Sequence, residues 1–155
     1  MWHIIINPMA GNGKAIQALP AIKKAFAKAQ LSCTILKSER QWDCAILTQK
    51  AIENGARKIV AVGGDGTGHE VVNGIFSQKV VDTKAISFGF IPVGTGNDWV
   101  KNYQLPKKIE QIIPLLKAEK HLFQDIGLVH FHNENGEKKQ RYFINVAGMA
   151  YDAHV

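Results

Sequence analysis

The run Gly63-Gly64-Asp65-Gly66-Thr67-Gly68-His69-Glu70 holds the densest chemistry in the 155-residue chain. Four glycines in six residues remove side chains where a backbone must approach a ligand. Successive N–H groups can then form an anion-binding concavity, and a helix opening there adds a positive dipole end. Asp65 sharpens this reading. A carboxylate set among phosphates is repelled by them unless a divalent metal bridges the two, or unless it handles a proton during phosphoryl transfer. Taken alone, the run also reads as a Gly-Asp-Gly turn with Thr67 capping the next helix.

Two further loops share this character. Pro92-Val93-Gly94-Thr95-Gly96-Asn97-Asp98 offers Thr95 as a phosphate donor or cap and Asp98 as a second carboxylate. Asn7-Pro8-Met9-Ala10-Gly11-Asn12-Gly13-Lys14 resembles a phosphate loop but not Walker A, because Pro8 takes the first glycine position and Ala15 replaces Ser/Thr. None of the loops reads G-x-G-x-x-G, which argues against a dinucleotide site. Each loop alone could be a plain turn; three on three strand ends of one sheet are hard to explain that way.

The elements that must position these loops follow from periodicity. Strands are expected over 2–6, 33–36, 58–62 and 85–91, and helices over 16–29, 43–54, 68–76 and 109–116. Pro20 should start or kink the first helix, and Pro114 should bend or end the last. Strands alternating with helices mean crossover units, hence an α/β fold with a three-layer, open, mostly parallel sheet. The runs 59–62 and 87–91 are nearly all apolar, as central strands buried on both faces require. After about Lys120 the pattern changes. Segments 122–132 and 138–146 read as a hairpin joined through Asn133-Glu134-Asn135-Gly136. Two domains are therefore expected: an α/β unit carrying the three loops over 1–120, and over 121–155 the start of a second, antiparallel unit that more sequence would complete. The unpaired strands would favour self-association.

Composition narrows the partners. The formal net charge of +6 suits nucleotides and anionic lipid surfaces. Lysines are scattered, with pairs at Lys23-Lys24, Lys107-Lys108 and Lys138-Lys139, and form no basic stripe of the nucleic-acid type, so no nucleic-acid partner is expected. No apolar run approaches the roughly 20 residues of a membrane helix, and the N-terminus reads as a strand rather than a leader. A cytoplasmic protein is expected. Cys33 and Cys44 read as small buried hydrophobes. His130 and His132 share a strand face without enough further ligands for a metal site, and no Ser-His-Asp pattern is visible.

Taken together, GGDGT followed by Glu70 and Val71-Val72-Asn73-Gly74, then PVGTGND, resembles the diacylglycerol kinase catalytic domain family, which includes bacterial lipid kinases and the sphingosine and ceramide kinases. Asn7-Pro8-Met9-Ala10-Gly11 fits the same pattern. So does Asn145-Val146-Ala147-Gly148 with Tyr151-Asp152-Ala153, although Ala150 stands where the family usually has glycine. The resemblance implies an N-terminal domain like those of phosphofructokinase and NAD kinase, followed by a β-sandwich, and a peripheral attachment to membranes. It places nucleotide contacts on Asn7, Pro8, Met9, Ala10, Gly11, Ser38, Gly64, Asp65, Gly66, Thr67, Gly68, His69, Glu70 and Thr95. Ser38 takes a place usually given to threonine, and Gly68 and His69 replace the commoner apolar residue and Asn.

In the sphingosine kinase branch, the residue matching Asp65 is the base and the one matching Asp152 holds the lipid. In the bacterial branch the catalytic carboxylate and the direct magnesium ligands lie in a later segment, and Asp65 and Asp98 join a network around the metal. The resemblance thus implies ATP and Mg²⁺ as cofactors, with Asp65 at the metal, and a lipid hydroxyl as acceptor. A NAD kinase shares the GGDGT loop, but PVGTGND belongs to the lipid kinases. The remaining reading is a nucleotide-binding fragment without turnover.

Overall fold

In the computed structural model, which describes residues 1–94 and 96–145, four parallel strands form one sheet. They are β1 (Trp2–Ile6), β2 (Cys33–Lys37), β3 (Lys58–Gly63) and β4 (Ser87–Pro92), in the order β2-β1-β3-β4. The helices are α1 (Lys14–Lys28), α2 (Asp43–Glu53), α3 (Asp65–Ser77), α4 (Asp98–Asn102) and α5 (Ile109–Ala118). A separate antiparallel pair follows, β5 (Gly127–His132) with β6 (Lys138–Phe143).

Alternation along the strands builds two cores. Ile4, Ile6, Val60 and Val62 pack with Leu19, Ile22, Phe26, Ile112 and Leu116 on the α1/α5 face. Ile5, Ile59 and Ala61 pack with Ile52, Val71 and Ile75 on the α2/α3 face. Both faces are covered, so the central strands read as continuous apolar runs, and the three-layer α/β expectation holds. Strand order reverses between β1 and β3. From β1 the chain crosses to one side for β2 and returns to the other for β3 and β4. The carboxyl ends of β1 and β3 therefore flank the switch point where open α/β sheets bind ligands.

Several boundaries differ from the sequence expectation, three of them by the most instructive margin. α3 starts at Asp65, three residues before Gly68, because Gly64 caps it in extended conformation and its carbonyl accepts the N–H groups of Thr67 and Gly68. α1 begins at Lys14 and runs through Pro20, which faces solvent; the carbonyl deprived of its N–H partner can turn to water. Pro114 sits likewise on the exposed side of α5. β5 begins at Gly127 rather than at 122, since its register with β6 ends at Gly127 opposite Phe143. Leu122 and Phe123 lie ahead of it, each 83% exposed.

The hairpin does not stand alone. Asn73 of α3 donates from Nδ2 to the Tyr142 carbonyl at 2.8 Å and accepts the Tyr142 N–H on Oδ1 at 2.9 Å. Phe76 stacks on Tyr142 with centroids 4.9 Å apart.

Candidate functional site

A cleft of about 440 Å³ opens at the switch point, lined by the three glycine loops. Asn7, Ala10, Gly11, Asn12 and Lys14 come from the β1–α1 loop. Gly64, Asp65, Gly66, Thr67 and Glu70 come from the start of α3, and Val93, Gly94, Gly96 and Asn97 from the β4–α4 loop.

The first loop is a left-handed arc. Gly11, Asn12 and Gly13 all have positive φ (61°, 57° and 83°), which glycine and asparagine tolerate best. Asn7 closes the entry by accepting the Met9 N–H on Oδ1 at 3.0 Å. A Cβ on Gly11 would come 3.1 Å from Val93 Cγ1 and 3.4 Å from the Gly94 nitrogen, so this glycine lets two of the loops touch.

The glycines of the second loop divide into two kinds. A Cβ on Gly63 would collide with Thr67, and one on Gly68 would lie 2.6 Å from Phe90 Cε2; these glycines serve packing. Gly66 has open space around it, and Gly64 meets only the Val93 carbonyl at 3.8 Å. Gly64 and Gly66 are the glycines that bare the backbone to the cleft. The N–H groups of the first turn of α3 lack intrahelical partners by construction, and the helix dipole favours an anion there.

Asp65 is held by its neighbours. Oδ2 accepts the Asp98 N–H at 3.0 Å, and Oδ1 accepts the Trp99 N–H and the Asn145 Nδ2, both at 3.3 Å. It thus caps α4 from another helix. The Asp98 side chain is 68% exposed and pairs with Lys101 at 2.7 Å. Glu70 accepts the Cys44 N–H on Oε2 at 3.1 Å, tying α3 to α2. Burial pushes the Cys44 thiol up to about 11, and the Ser38 hydroxyl beside it pulls the other way.

Of the residues expected to contact nucleotide, Asn7, Ala10, Gly11, Gly64, Asp65, Gly66, Thr67 and Glu70 line the cleft. Pro8, Met9, Ser38, Gly68 and His69 do not. Met9 is 76% exposed, and Ser38 is buried behind Cys44 with its N–H on the Ile6 carbonyl. The His69 and Trp42 rings meet edge to face, centroids 5.7 Å apart; burial, then the Arg141 guanidinium, holds His69 below the usual histidine range. Thr95 and Asp152 lie outside the described residues. The sequence reading missed Lys14 and Asn97 as site residues, although both sit within the runs that drew attention.

The donor set suits an anion carried by backbone N–H groups and the Lys14 ammonium. Among the described residues no group of three acidic, histidine or cysteine side chains is gathered as a metal cage. Asp65 and Glu70 on one cleft instead fit a magnesium ion that brings phosphate oxygens and water as its other ligands.

Residues 1–129 match the profile described as the diacylglycerol kinase catalytic domain. The chain is 31% identical over 145 residues to a diacylglycerol kinase of Staphylococcus haemolyticus, covering 94% of this chain and 40% of that one. It is 32% identical over 146 residues to that of Staphylococcus saprophyticus, covering 94% and 43%. The crystal structure of a diacylglycerol kinase from Bacillus anthracis superposes with a TM-score of 0.63 at 27% identity, over 88% of this chain and 44% of that one. The chain spans less than half the length of these relatives.

Proposed function

The chain belongs to the diacylglycerol kinase catalytic domain family, and on that premise we propose that it supplies the nucleotide-binding part of an enzyme that moves the γ-phosphoryl group of ATP to a lipid hydroxyl. The observation that carries this is the convergence of three glycine loops on one cleft at the sheet's switch point.

In this reading the arc at Gly11–Gly13, the first turn of α3 and the Lys14 ammonium hold the phosphates. Positioning does most of the work in phosphoryl transfer. The acceptor oxygen bonds to the γ-phosphorus, the bond to the β–γ bridging oxygen breaks, and ADP leaves. Asp65 Oδ2 takes a single N–H and keeps a lone pair for the acceptor's proton or for the metal. Magnesium, held by Asp65 and Glu70 with the phosphates, would neutralise charge there.

Access to the lipid is peripheral in this reading. No helix among the described residues is long and apolar enough to cross a membrane, and Leu122 and Phe123 project beside Lys120, a pairing suited to an anionic lipid surface. Self-association remains part of the proposal and is checked by sedimentation.

Calorimetric titration of ATP, with and without Mg²⁺, tests the nucleotide site. Tightening by Mg²⁺ that disappears in Asp65→Ala supports it; no binding by the folded chain, nor by the full-length protein, refutes it. Transfer of labelled phosphate to dioctanoylglycerol or sphingosine by the full-length protein tests the acceptor class. Binding without transfer to any lipid would leave a nucleotide-binding module.

A further inference from the structure

One acceptor in the cleft and a second beside it are groups that phosphates cannot satisfy. Asn97, 3% exposed, lines it. Its Nδ2 donates to the Gly94 carbonyl at 2.9 Å, which closes the loop, and its buried Oδ1 has no partner among the described residues. Asn145 repeats the arrangement: Nδ2 donates to Asp65 Oδ1, and the buried Oδ1 has no partner among the described residues. Asn145 thus meets Asp65 itself, and Asn97 stands next to it in the loop: Asp98, the following residue, donates its N–H to Oδ2, and Gly96, the preceding one, lacks the Cβ that would lie 3.2 Å from Oδ2.

A buried acceptor left unpaired costs about 1–3 kcal/mol. Phosphate oxygens are themselves acceptors and would add repulsion. Only a donor relieves the two carbonyls. We propose that Asn97, supported by Asn145, forms an acceptor subsite beside Asp65 that receives an O–H donor during turnover. Two sources supply that chemistry: the hydroxyl of the alcohol to be phosphorylated, or a water bound to the cation that arrives with the nucleotide. The proposal rests on the kinase reading above and deepens it. Asn97 touches the ligand, and Asn145 positions Asp65 from the second unit.

The test uses the full-length protein with two substitutions at Asn97, where φ is 53°. Asn97→Gly removes the side chain and accepts that backbone without strain. Asn97→Asp keeps an acceptor oxygen and loses the amide donor to Gly94. If an alcohol is the donor, Asn97→Gly raises the KM for dioctanoylglycerol about ten-fold with the Kd for ATP essentially unmoved, and Asn97→Asp recovers most of the loss. If cation-bound water is the donor, the Mg²⁺ concentration that half-tightens ATP binding rises about ten-fold in Asn97→Gly and recovers in Asn97→Asp, a calorimetric result that needs no acceptor.

The proposal is overturned if neither quantity moves, or if Asn97→Asp is as impaired as Asn97→Gly, which would leave only the closure of the Gly94 turn. Wild-type protein that binds Mg²⁺-ATP but phosphorylates no lipid refutes the acceptor class of the kinase reading, while the Mg²⁺ titration still decides the subsite. Equal thermal melting of the variants separates either result from misfolding.

Discussion

The Asp98 N–H donates to Asp65 Oδ2 at 3.0 Å, while the Asp98 carboxylate turns to the Lys101 ammonium at 2.7 Å. The two carboxylates that the sequence sets on adjacent loops therefore differ in situation. One is fixed inside the cleft by three donors; the other lies in an exposed ion pair.

Their substitutions should separate accordingly. Asp65→Ala frees the first N–H groups of α4 and costs about 1 kcal/mol of stability, as a lost cap does. It should also lower transfer about a hundred-fold or more, the scale of a group acting on the transferred proton or charge. Asp98→Ala removes a surface pair worth at most about 1 kcal/mol and keeps the N–H that meets Asp65, so ATP affinity should hold. Comparable loss of ATP binding in both variants would refute this division.

The glycines of the α3 loop divide in the same manner. Gly66→Ala meets nothing within 4 Å and puts alanine in a helix, so stability should hold or rise, by about 0.5–1 kcal/mol. Its new methyl should nonetheless weaken ATP binding. Gly68→Ala, 2.6 Å from Phe90, and Gly74→Ala, driven onto the Ala45 carbonyl, should each destabilise by about 1–3 kcal/mol. Urea unfolding with parallel ATP titration checks the contrast, and a destabilised Gly66→Ala would contradict it.

This division shows why the sequence was legible to different depths. Apolar runs ending in glycine loops announce strands and phosphate loops through local chemistry alone, and β1, β3 and β4 formed where such runs stand. Which glycine faces ligand and which faces Phe90 depends on a strand about twenty residues away, so composition could not sort them. Asn145 reaches Asp65 across 80 residues of sequence, and Asn73 grips Tyr142 across 69; a neutral amide carries no local sign of such a task. Lys14 is one of many scattered lysines, and a helix expected from residue 16 leaves it in the loop, whereas α1 opens at Lys14.

His69 offers a pH handle on the seam between the two units. Its folded value lies below the ordinary one, through burial first and the Arg141 guanidinium second. The folded state therefore binds fewer protons than the unfolded chain as pH falls below about 6.5, and the stability it contributes is lost on acidification. Arg141 sits 4.5 Å over the Trp42 ring, so Arg141→Ala should raise the His69 value part of the way back, with burial keeping it low. NMR titration of the imidazole reads this directly, and an unchanged or lower value in the variant would show that Arg141 does not act on His69.

The thiols predict a second pH window. Cys44 at about 11 stays protonated in the folded state where an unfolded thiol would ionise. Folded protein thus holds more protons than unfolded between the ordinary thiol value and about 11, and stability falls as pH rises through that interval. Cys44→Ala should flatten the decline in Tm. At neutral pH a thiol reagent should label the half-buried Cys33 well before Cys44; equal rates would mean that α2 opens readily.

The Asn73 side chain decides how firmly the hairpin is tied to the cleft. It satisfies both the N–H and the carbonyl of Tyr142, and truncation to alanine strands both groups at a part-buried contact, at a cost of about 1–3 kcal/mol. A two-stranded sheet has little stability of its own, so Asn73→Ala should raise amide exchange across β5 and β6 while β1 and β3 stay protected. Asn145 follows β6 by two residues and holds Asp65, so the same substitution should weaken the Mg²⁺ dependence of ATP binding without touching a cleft residue. If β1 and β3 lose protection in step with the hairpin, the two sheets unfold as one cooperative unit and the hairpin is not a separable clamp. If the hairpin loosens while the Mg²⁺ dependence holds, Asn145 keeps Asp65 in place independently of the strand that delivers it.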